Sequence, residues 1–510
     1  MSTDPPVSKG PADGPAGHQF FIVGIGASAG GLEAISALLK RATIEGAAFV
    51  VVQHMAPTQK SMLTELLGRA SKLQVVTAED GALVKPHFVY VSPPNATLSL
   101  LNGSLHVLAP AAGMDRVHLP IDSFFTSLAR DRGAQAIGVI MSGTGTDGTI
   151  GLAAIKASGG ITFVQDPDTA KFDGMPRSAL ESGAADFSLS PEAIADEILN
   201  VSEHPYARPH SAVPDIEMHM GALALLIKNS FGIDLEHYKR NTIERRLQRR
   251  MAVQHLTSVA DYLRLCQNDP KELAALHSDL LINVTAFFRD REPFDVLKTE
   301  CLARILEQKK DGETIRIWVP GCASGEEAYS IAICLLELLD ESQRNLKVQL
   351  FGTDVDADAI KQARRGSYLP NIEADVSAER LRRFFIKGDD GRYQVTRRVR
   401  DISVFSAQNL CRDAPFSRLD LVSCRNVLIY LQPTMQRKVM RILHYALLSD
   451  GFLLLGTSES VGDSSELFSL VDRKNKLYSA THVKLPRSAL DVNLDVDIGG
   501  RPAKPASAST

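Results

Sequence analysis

Gly24-Ile25-Gly26-Ala27-Ser28-Ala29-Gly30-Gly31 follows the apolar run Phe20–Val23 and opens a helical pattern of Leu32, Ile35, Leu38 and Leu39. A strand, a glycine-rich turn and a helix in that order predict an α/β domain with a serine at a strand end. Glycines on both sides let the backbone turn and let a substrate come close. The helix that follows directs unpaired N–H groups and its positive end toward developing negative charge. The same residues fit a dinucleotide fingerprint, because Gly24-x-Gly26-x-x-Ala29 satisfies G-x-G-x-x-G/A. That reading wants a carboxylate about 20 residues on, at the end of the next strand, for ribose hydroxyls. The next strand, Ala48–Val52, instead runs into Gln53-His54-Met55-Ala56-Pro57 and offers a histidine.

In a doubly wound sheet the carboxyl ends of neighbouring strands share one edge, so Ser28 and His54 are expected to meet there as nucleophile and base. A third apolar strand, Ala136–Met141, ends in Ser142-Gly143-Thr144-Gly145-Thr146-Asp147-Gly148. Asp147 can orient the imidazole; its rival role is a cap for the helix Ile150–Ala157. The order Ser…His…Asp differs from that of α/β-hydrolases and of both major serine protease types. On these residues, and on Gln165-Asp166-Pro167, Phe172-Asp173-Gly174-Met175-Pro176 and Gly183-Ala184-Ala185-Asp186, the segment from about 18 to 200 resembles the catalytic domain of chemotaxis protein-glutamate methylesterases of the CheB type. The resemblance implies Ser28 as nucleophile, His54 as base and Asp147 as orienting carboxylate. Ala29 and Thr144 depart from it, standing where stand-alone methylesterases often have threonine and methionine.

Composition bounds the rest. A chain of 510 residues, 44% apolar, should hold two or three domains with packed cores. A net charge of −4 implies no general attraction to nucleic acid or anionic membrane, and no apolar run is long enough to span a bilayer. The N-terminus lacks a signal-peptide pattern, so a cytoplasmic location is expected. The six cysteines all fall in the second half without C-x-x-C spacing, which argues against zinc and against a disulfide framework. Residues 1–17 and 486–510 read as disordered tails, and Pro205, Pro209 and Pro214 mark a linker over 203–217. About 17 residues precede the first strand, so no receiver domain is expected to control the esterase from within this chain.

From 218 to 310 the spacing is helical throughout, as in Leu223, Leu225, Leu226 and Ile243, Leu247, Met251. From 311 to 485 strands and helices alternate: Ile315–Val319, Glu326–Leu339, Val348–Gly352, Leu419–Cys424 and Gly451–Leu455. The expected fold class is α/β, with two doubly wound sheet domains and a small all-helical module between them. The first of these strands leads into Pro320-Gly321-Cys322-Ala323-Ser324-Gly325-Glu326-Glu327, and the next ends in Asp354, the acidic residue the first domain lacks. The pair favours an adenosine cofactor. Glu326 and Glu327 would repel a pyrophosphate but suit a sulfonium and an amino group. Their alternative is to complement a helix dipole.

Leu281-Ile282-Asn283-Val284-Thr285-Ala286-Phe287-Phe288-Arg289-Asp290 and Ser423-Cys424-Arg425-Asn426-Val427-Leu428-Ile429-Tyr430 are similar to signatures of chemotaxis receptor glutamate methyltransferases of the CheR type. So are Gln408-Asn409-Leu410 and Gly456-Thr457-Ser458-Glu459-Ser460. The resemblance spans about 215 to 480 and implies that S-adenosylmethionine is bound by Asn283, Thr285, Arg289, Glu326, Asp354, Asn409, Leu410, Asn426 and Val427. Arg289 and Tyr430 are the candidates at its reacting end. Together the two resemblances imply an adaptation enzyme that methylates receptor glutamates and hydrolyses the esters, with glutamine deamidation as a related reaction. Its partners would be cytoplasmic helices of chemoreceptors or related signalling proteins, with no nucleic acid, no membrane insertion and no metal. The rival is a signalling scaffold that binds such partners without turnover. The basic helix Lys239–Arg250 reads by default as a solvated face, and otherwise as a surface for acidic receptor helices.

Overall fold

The computed structural model describes residues 20–42, 46–54, 62–109, 119–207, 216–281 and 284–483. Both expected tails, Asn283 and the linker residues 208–215 lie outside the described residues. The chain forms two compact units. The first holds the chain up to Leu235, then Arg240–Val284 and Leu369–Ala374; the second holds Glu236–Lys239, Thr285–Tyr368 and the chain from Asp375 on.

Among the described residues the first unit is built on nine strands: β1 (Phe21–Ala27), β2 (Ala47–Gln53), β3 (Gln74–Thr77), β4 (Phe88–Val91), β5 (Thr97–Leu101), β6 (Ser104–Leu108), β7 (Ala136–Ile140), β8 (Ile161–Gln165) and β9 (Phe187–Leu189). Seven form one parallel sheet in the order β3-β4-β2-β1-β7-β8-β9, and β5 and β6 form a hairpin. Helices α1 (Gly31–Arg41), α2 (Leu63–Ala70), α3 (Pro120–Arg132), α4 (Thr149–Ala157), α5 (Gly174–Glu181) and α6 (Pro191–Glu203) accompany them. Strand β1 is buried along its length and pairs with β2 and β7; the chain leaves β1 toward β2 and leaves its neighbour β7 toward β8, in opposite directions. That is a topological switch point, where α/β sheets place their sites.

Gly24 and Gly26 do not form the turn; both lie inside β1. A Cβ on Gly24 would come 2.9 Å from the Phe125 ring, and one on Gly26 would come 2.4 Å from Ile121, so these glycines let α3 press on the strand. The turn itself is made by Gly30, at φ 71°.

Four helices continue the first unit: α7 (Ile216–Phe231), α8 (Arg240–Val253), α9 (Val259–Asn268) and α10 (Pro270–Leu281). Here the expected solvated basic face is corrected. Arg246, Arg249 and Arg250 of α8 are buried. Arg249 pairs with both Asp186 and Asp279, and Arg250 with Glu272. Burial works to raise the Asp186 carboxyl, but Arg249 and Lys156 outweigh it and hold it down at about 2. Charges taken out of water in this way persist only when paired.

The second unit carries α11 (Glu292–Val296), α12 (Ala303–Gln308), β10 (Thr314–Pro320), α13 (Glu326–Ser342), β11 (Lys347–Asp354) and α14 (Ala357–Arg365). A three-stranded antiparallel sheet of β12 (Ser367–Tyr368), β13 (Phe385–Lys387) and β14 (Tyr393–Val395) follows, with α15 (Ala378–Phe384) and α16 (Arg397–Arg400). The main sheet is completed by β15 (Ser403–Ala407), β16 (Leu419–Cys424), β17 (Leu447–Leu455), β18 (Phe468–Asp472) and β19 (Leu477–Ala480), with α17 (Pro433–Ala446) before β17. Its order is β15-β11-β10-β16-β17-β19-β18, and β19 pairs antiparallel with both β17 and β18. The ends of β10, β11 and β16 therefore share one edge.

Candidate active sites

In the first unit the ends of β1, β2 and β7 come together. The Ser28 N–H donates to the Ser142 carbonyl (3.0 Å), and the His54 N–H donates to the carbonyl of Ala27 (3.2 Å). A Cβ on Gly143 would lie 3.0 Å from that of Ser28, so the glycine keeps the approach to the serine open. Ser142 ties the turns together: its hydroxyl donates to the Ala29 carbonyl (2.9 Å) and accepts from the Phe172 N–H (3.0 Å). Its own N–H donates to Oε1 of Gln165 (2.9 Å).

Nε2 of His54 lies 2.9 Å from Oδ2 of Asp147, with the imidazole 32% exposed and the carboxylate buried. Asp147 does not cap the helix that follows it, whose N-cap is Gly148. It accepts instead from the N–H groups of Ile121 (3.0 Å) and Asp122 (2.9 Å) in the first turn of α3. A carboxylate there is favoured by the helix dipole and is fixed in orientation by two donors. Sequence reasoning missed the supporting roles of Gln165, Ser142 and the α3 N-terminus; the Gln165-Asp166-Pro167 stretch was the available signal for the first.

In the second unit the loop after β10 folds back on the end of β11. Gly321 (φ 69°), Ala323 (φ 45°) and Gly325 (φ 95°) are left-handed. The Ala323 N–H donates to Oδ2 of Asp354 (2.9 Å), and the Asp356 N–H to Oδ1 (3.0 Å). Each oxygen keeps a further lone pair for a ribose hydroxyl. Burial raises the Asp354 carboxyl above its ordinary value, against the pull of these N–H groups. Burial also pushes Glu326 up to about 7, with the Ser324 hydroxyl pulling the other way. Among the described residues no cation pairs with Glu326, so a cationic ligand would complete it.

Glu327 departs from the expected role. It accepts from the Ser423 hydroxyl (2.7 Å) and lies 3.3 Å from Arg425, whose other amino group donates to the Arg289 carbonyl (2.9 Å). Arg425 thereby braces the turn that carries Arg289, which stands between the left-handed Phe288 (φ 49°) and Asp290 (φ 57°). Phe287 is core, edge-on to Tyr368 and Phe385. Thr285 is half-buried at the start of the same segment.

Asn426, left-handed at φ 60°, is held by a residue that sequence reasoning gave no role. The buried Glu459 accepts from the N–H groups of Asn426 (2.9 Å), Leu428 (2.8 Å) and Gly456 (2.7 Å). Val427 then touches the cofactor loop, since a Cβ on Gly321 would lie 2.3 Å from its Cγ2. The Gln408 N–H donates to the Asp354 carbonyl (2.9 Å), which sets Asn409 and Leu410 beside the end of β11. The Asn409 side chain is occupied locally, accepting from the Cys411 N–H (2.9 Å). Tyr430 is half-buried, and its carbonyl accepts from the Lys239 N–H (2.9 Å). Tyr238 lies close to Asp354: burial raises its phenol, with Cys411 and Asp354 adding to the effect.

The CheB methylesterase family matches residues 23–198, the all-alpha domain of CheR methyltransferase matches 218–281, and the SAM-binding domain of CheR methyltransferase matches 283–477. An uncharacterized 104.1 kDa protein of Rhodobacter capsulatus is 36% identical over 444 residues, 82% of this chain and 46% of that protein. The chain thus spans less than half the length of that relative. A chemotaxis protein methyltransferase of Pseudomonas aeruginosa is 31% identical over 252 residues, 48% of this chain and 92% of its own. The solved CheB methylesterase catalytic domain of Thermotoga maritima is 33% identical, aligned over 36% of this chain and 98% of its own, with a TM-score of 0.34. Among the described residues no helix is long and apolar enough to cross a membrane. The chain therefore belongs to the CheR methyltransferase family, with S-adenosylmethionine as its methyl donor, and it carries a CheB methylesterase domain ahead of its CheR domains.

Proposed function

We propose that this chain sets the methylation level of glutamates on the cytoplasmic helices of chemoreceptors or a related signalling protein, acting in the cytoplasm as both writer and eraser of the ester. The observation that carries this reading is the His54–Asp147 pair at the strand edge beside Ser28, on the same chain as the Glu326 and Asp354 cradle.

On the methyltransferase side, S-adenosylmethionine supplies the methyl group. Asp354 would hold the ribose, and Glu326 would face the cationic end. Asn409, Leu410, Asn426 and Val427 wall the pocket together with Thr285, and Asn283 is assigned to the cofactor by the family resemblance alone. Arg289 and Tyr430 orient the glutamate. That side chain is already ionised at neutral pH, with an ordinary pKa of about 4.3, so no strong base is needed. A water-poor pocket that aligned this carboxylate with the cofactor's methyl group would lower the barrier to transfer.

On the esterase side, the Ser28 hydroxyl attacks the γ-carbonyl carbon as His54 takes its proton. With Nε2 turned to Asp147, Nδ1 is the nitrogen that serves. The oxyanion forms beside the first turn of α1, whose N–H groups are unpaired within the helix. His54 returns the proton to the departing methoxide, which leaves as methanol. Water, deprotonated by His54, then frees Ser28 from the glutamyl ester. Ammonia can leave by the same route, which is the basis for glutamine deamidation.

The test is incubation with methyl-labelled S-adenosylmethionine and membranes bearing candidate receptors. Alkali-labile label should appear on receptor glutamates and pass into methanol. Label confined to the chain itself would overturn the receptor reading.

A further inference from the structure

Helix α4 leads away from Asp147 through Gly148 and runs about 13 Å over its nine residues. Its near end is built into the esterase site. The Gly151 N–H donates to the Asp122 carboxylate (2.7 Å), and the Asp122 N–H donates to Asp147 (2.9 Å). A Cβ on Gly151 would lie 2.4 Å from Cβ of Phe125, so α3 and α4 lie in close contact.

The far end of α4 is held from elsewhere in the unit. Arg246 donates to the carbonyls of Lys156 (2.9 Å) and Ala157, Arg249 to that of Gly160 (2.9 Å), and Tyr206 to that of Gly159. These carbonyls lie at the end of α4 and just beyond it; that of Lys156 also accepts from the Gly159 N–H (3.0 Å), so the side chains add to the local closure of the helix end. Arg249 is fully buried and is itself clamped by Asp186 of the esterase domain and Asp279 of α10. Both arginines belong to the segment that matches the CheR all-alpha domain.

We infer that Arg246 and Arg249 are positioning residues of the esterase, supplied by the methyltransferase's all-alpha domain. They fix the end of α4, and α4 with Asp122 fixes Asp147 against His54. The inference rests on the esterase reading of Ser28, His54 and Asp147. It couples the two domain families through one helix. Whatever displaces α8 also loosens the carboxylate that orients the catalytic imidazole, without touching Ser28.

The test uses the full chain and, as probe, a peptide carrying a glutamate γ-methyl ester. Arg246→Ala should lower kcat for hydrolysis on the order of 10-fold with KM unchanged, as expected for a misplaced catalytic group. Its affinity for S-adenosylmethionine should stay at the wild-type value. Arg246→Lys, which keeps a cationic donor at the end of α4, should restore most of the rate. Tyr206→Phe, which removes only the Gly159 bond, should cost a smaller part of it and serves should Arg246→Ala not fold. Arg250 pairs with Glu272 inside the helical segment, and Arg250→Lys should hydrolyse at the wild-type rate. A wild-type kcat in both Arg246→Ala and Tyr206→Phe overturns the inference. So does a loss that merely follows the folded fraction in thermal melts and is not restored by lysine. No hydrolysis by the wild-type chain overturns the esterase reading and the inference with it.

Discussion

Glu326 is buried, with a carboxyl pushed up to about 7, well above its ordinary value. At 1.36 kcal/mol per pH unit, burial costs roughly 3 kcal/mol for ionising it. A sulfonium and an ammonium group bound nearby favour the carboxylate, so binding of S-adenosylmethionine should draw the proton off Glu326. Below pH 7 that proton must be expelled, and affinity should fall roughly tenfold per pH unit toward the ordinary value. Glu326→Gln should bind with little pH dependence over that range and, at pH 8, more weakly by roughly 1.5–3 kcal/mol, the scale of a charge-assisted contact. Calorimetry from pH 5.5 to 8 in buffers of different ionisation enthalpy reads both the affinity and the released protons. S-Adenosylhomocysteine, which lacks the sulfonium charge, should show a shallower slope. Asp354, also raised by burial, remains in both proteins, so the difference between them isolates Glu326. Equal slopes in wild type and Glu326→Gln would refute the reasoning.

His54→Ala should abolish methyl ester hydrolysis, with a loss on the order of 10⁶-fold, while Asp147→Asn should cost nearer 10⁴-fold; initial rates of methanol release distinguish them. Asp354→Ala should weaken S-adenosylmethionine by roughly 1.5–3 kcal/mol, and unchanged calorimetric affinity would move the ribose site elsewhere. Asp186 is held at about 2 in the folded chain, below the ordinary carboxylate value of about 3.9, so its contribution of roughly 2–3 kcal/mol is present above pH 4 and lost as pH falls toward 2. Urea titrations at pH 6, 4 and 2.5 should show that loss in wild type and not in Asp186→Asn.

The meeting of Ser28, His54 and Asp147 at one sheet edge was legible because each stands at a strand end announced by its own sequence. Ser28 follows an apolar run into glycines, His54 closes a second such run, and Asp147 sits in the glycine-flanked turn after a third. What the local pattern hid was the use of Asp147 at the start of α3, 26 residues earlier in sequence. The buried arginines of α8 were hidden for the same reason. A charge run looks solvated until its carboxylates are known, and Arg249 finds Asp186 63 residues away. Glu459 was missed because it serves backbone N–H groups, which leave no side-chain signature. The sheet of β12, β13 and β14 has strands of two or three residues, too short for any alternation to register. Gly24 and Gly26 were read as part of the turn, but they lie inside β1, and their smallness answers to Phe125 and Ile121.

Writer and eraser are most directly tested as a cycle. Wild-type chain and Ser28→Ala are each supplied with receptor membranes and methyl-labelled S-adenosylmethionine, and receptor-bound label and methanol are followed to steady state. If both domains act on the same glutamates, wild type should settle at a modest level of label while releasing methanol continuously. Ser28→Ala should accumulate label and release almost none. Identical accumulation in the two proteins, with the wild-type esterase active on a separate methyl ester, would contradict a shared substrate.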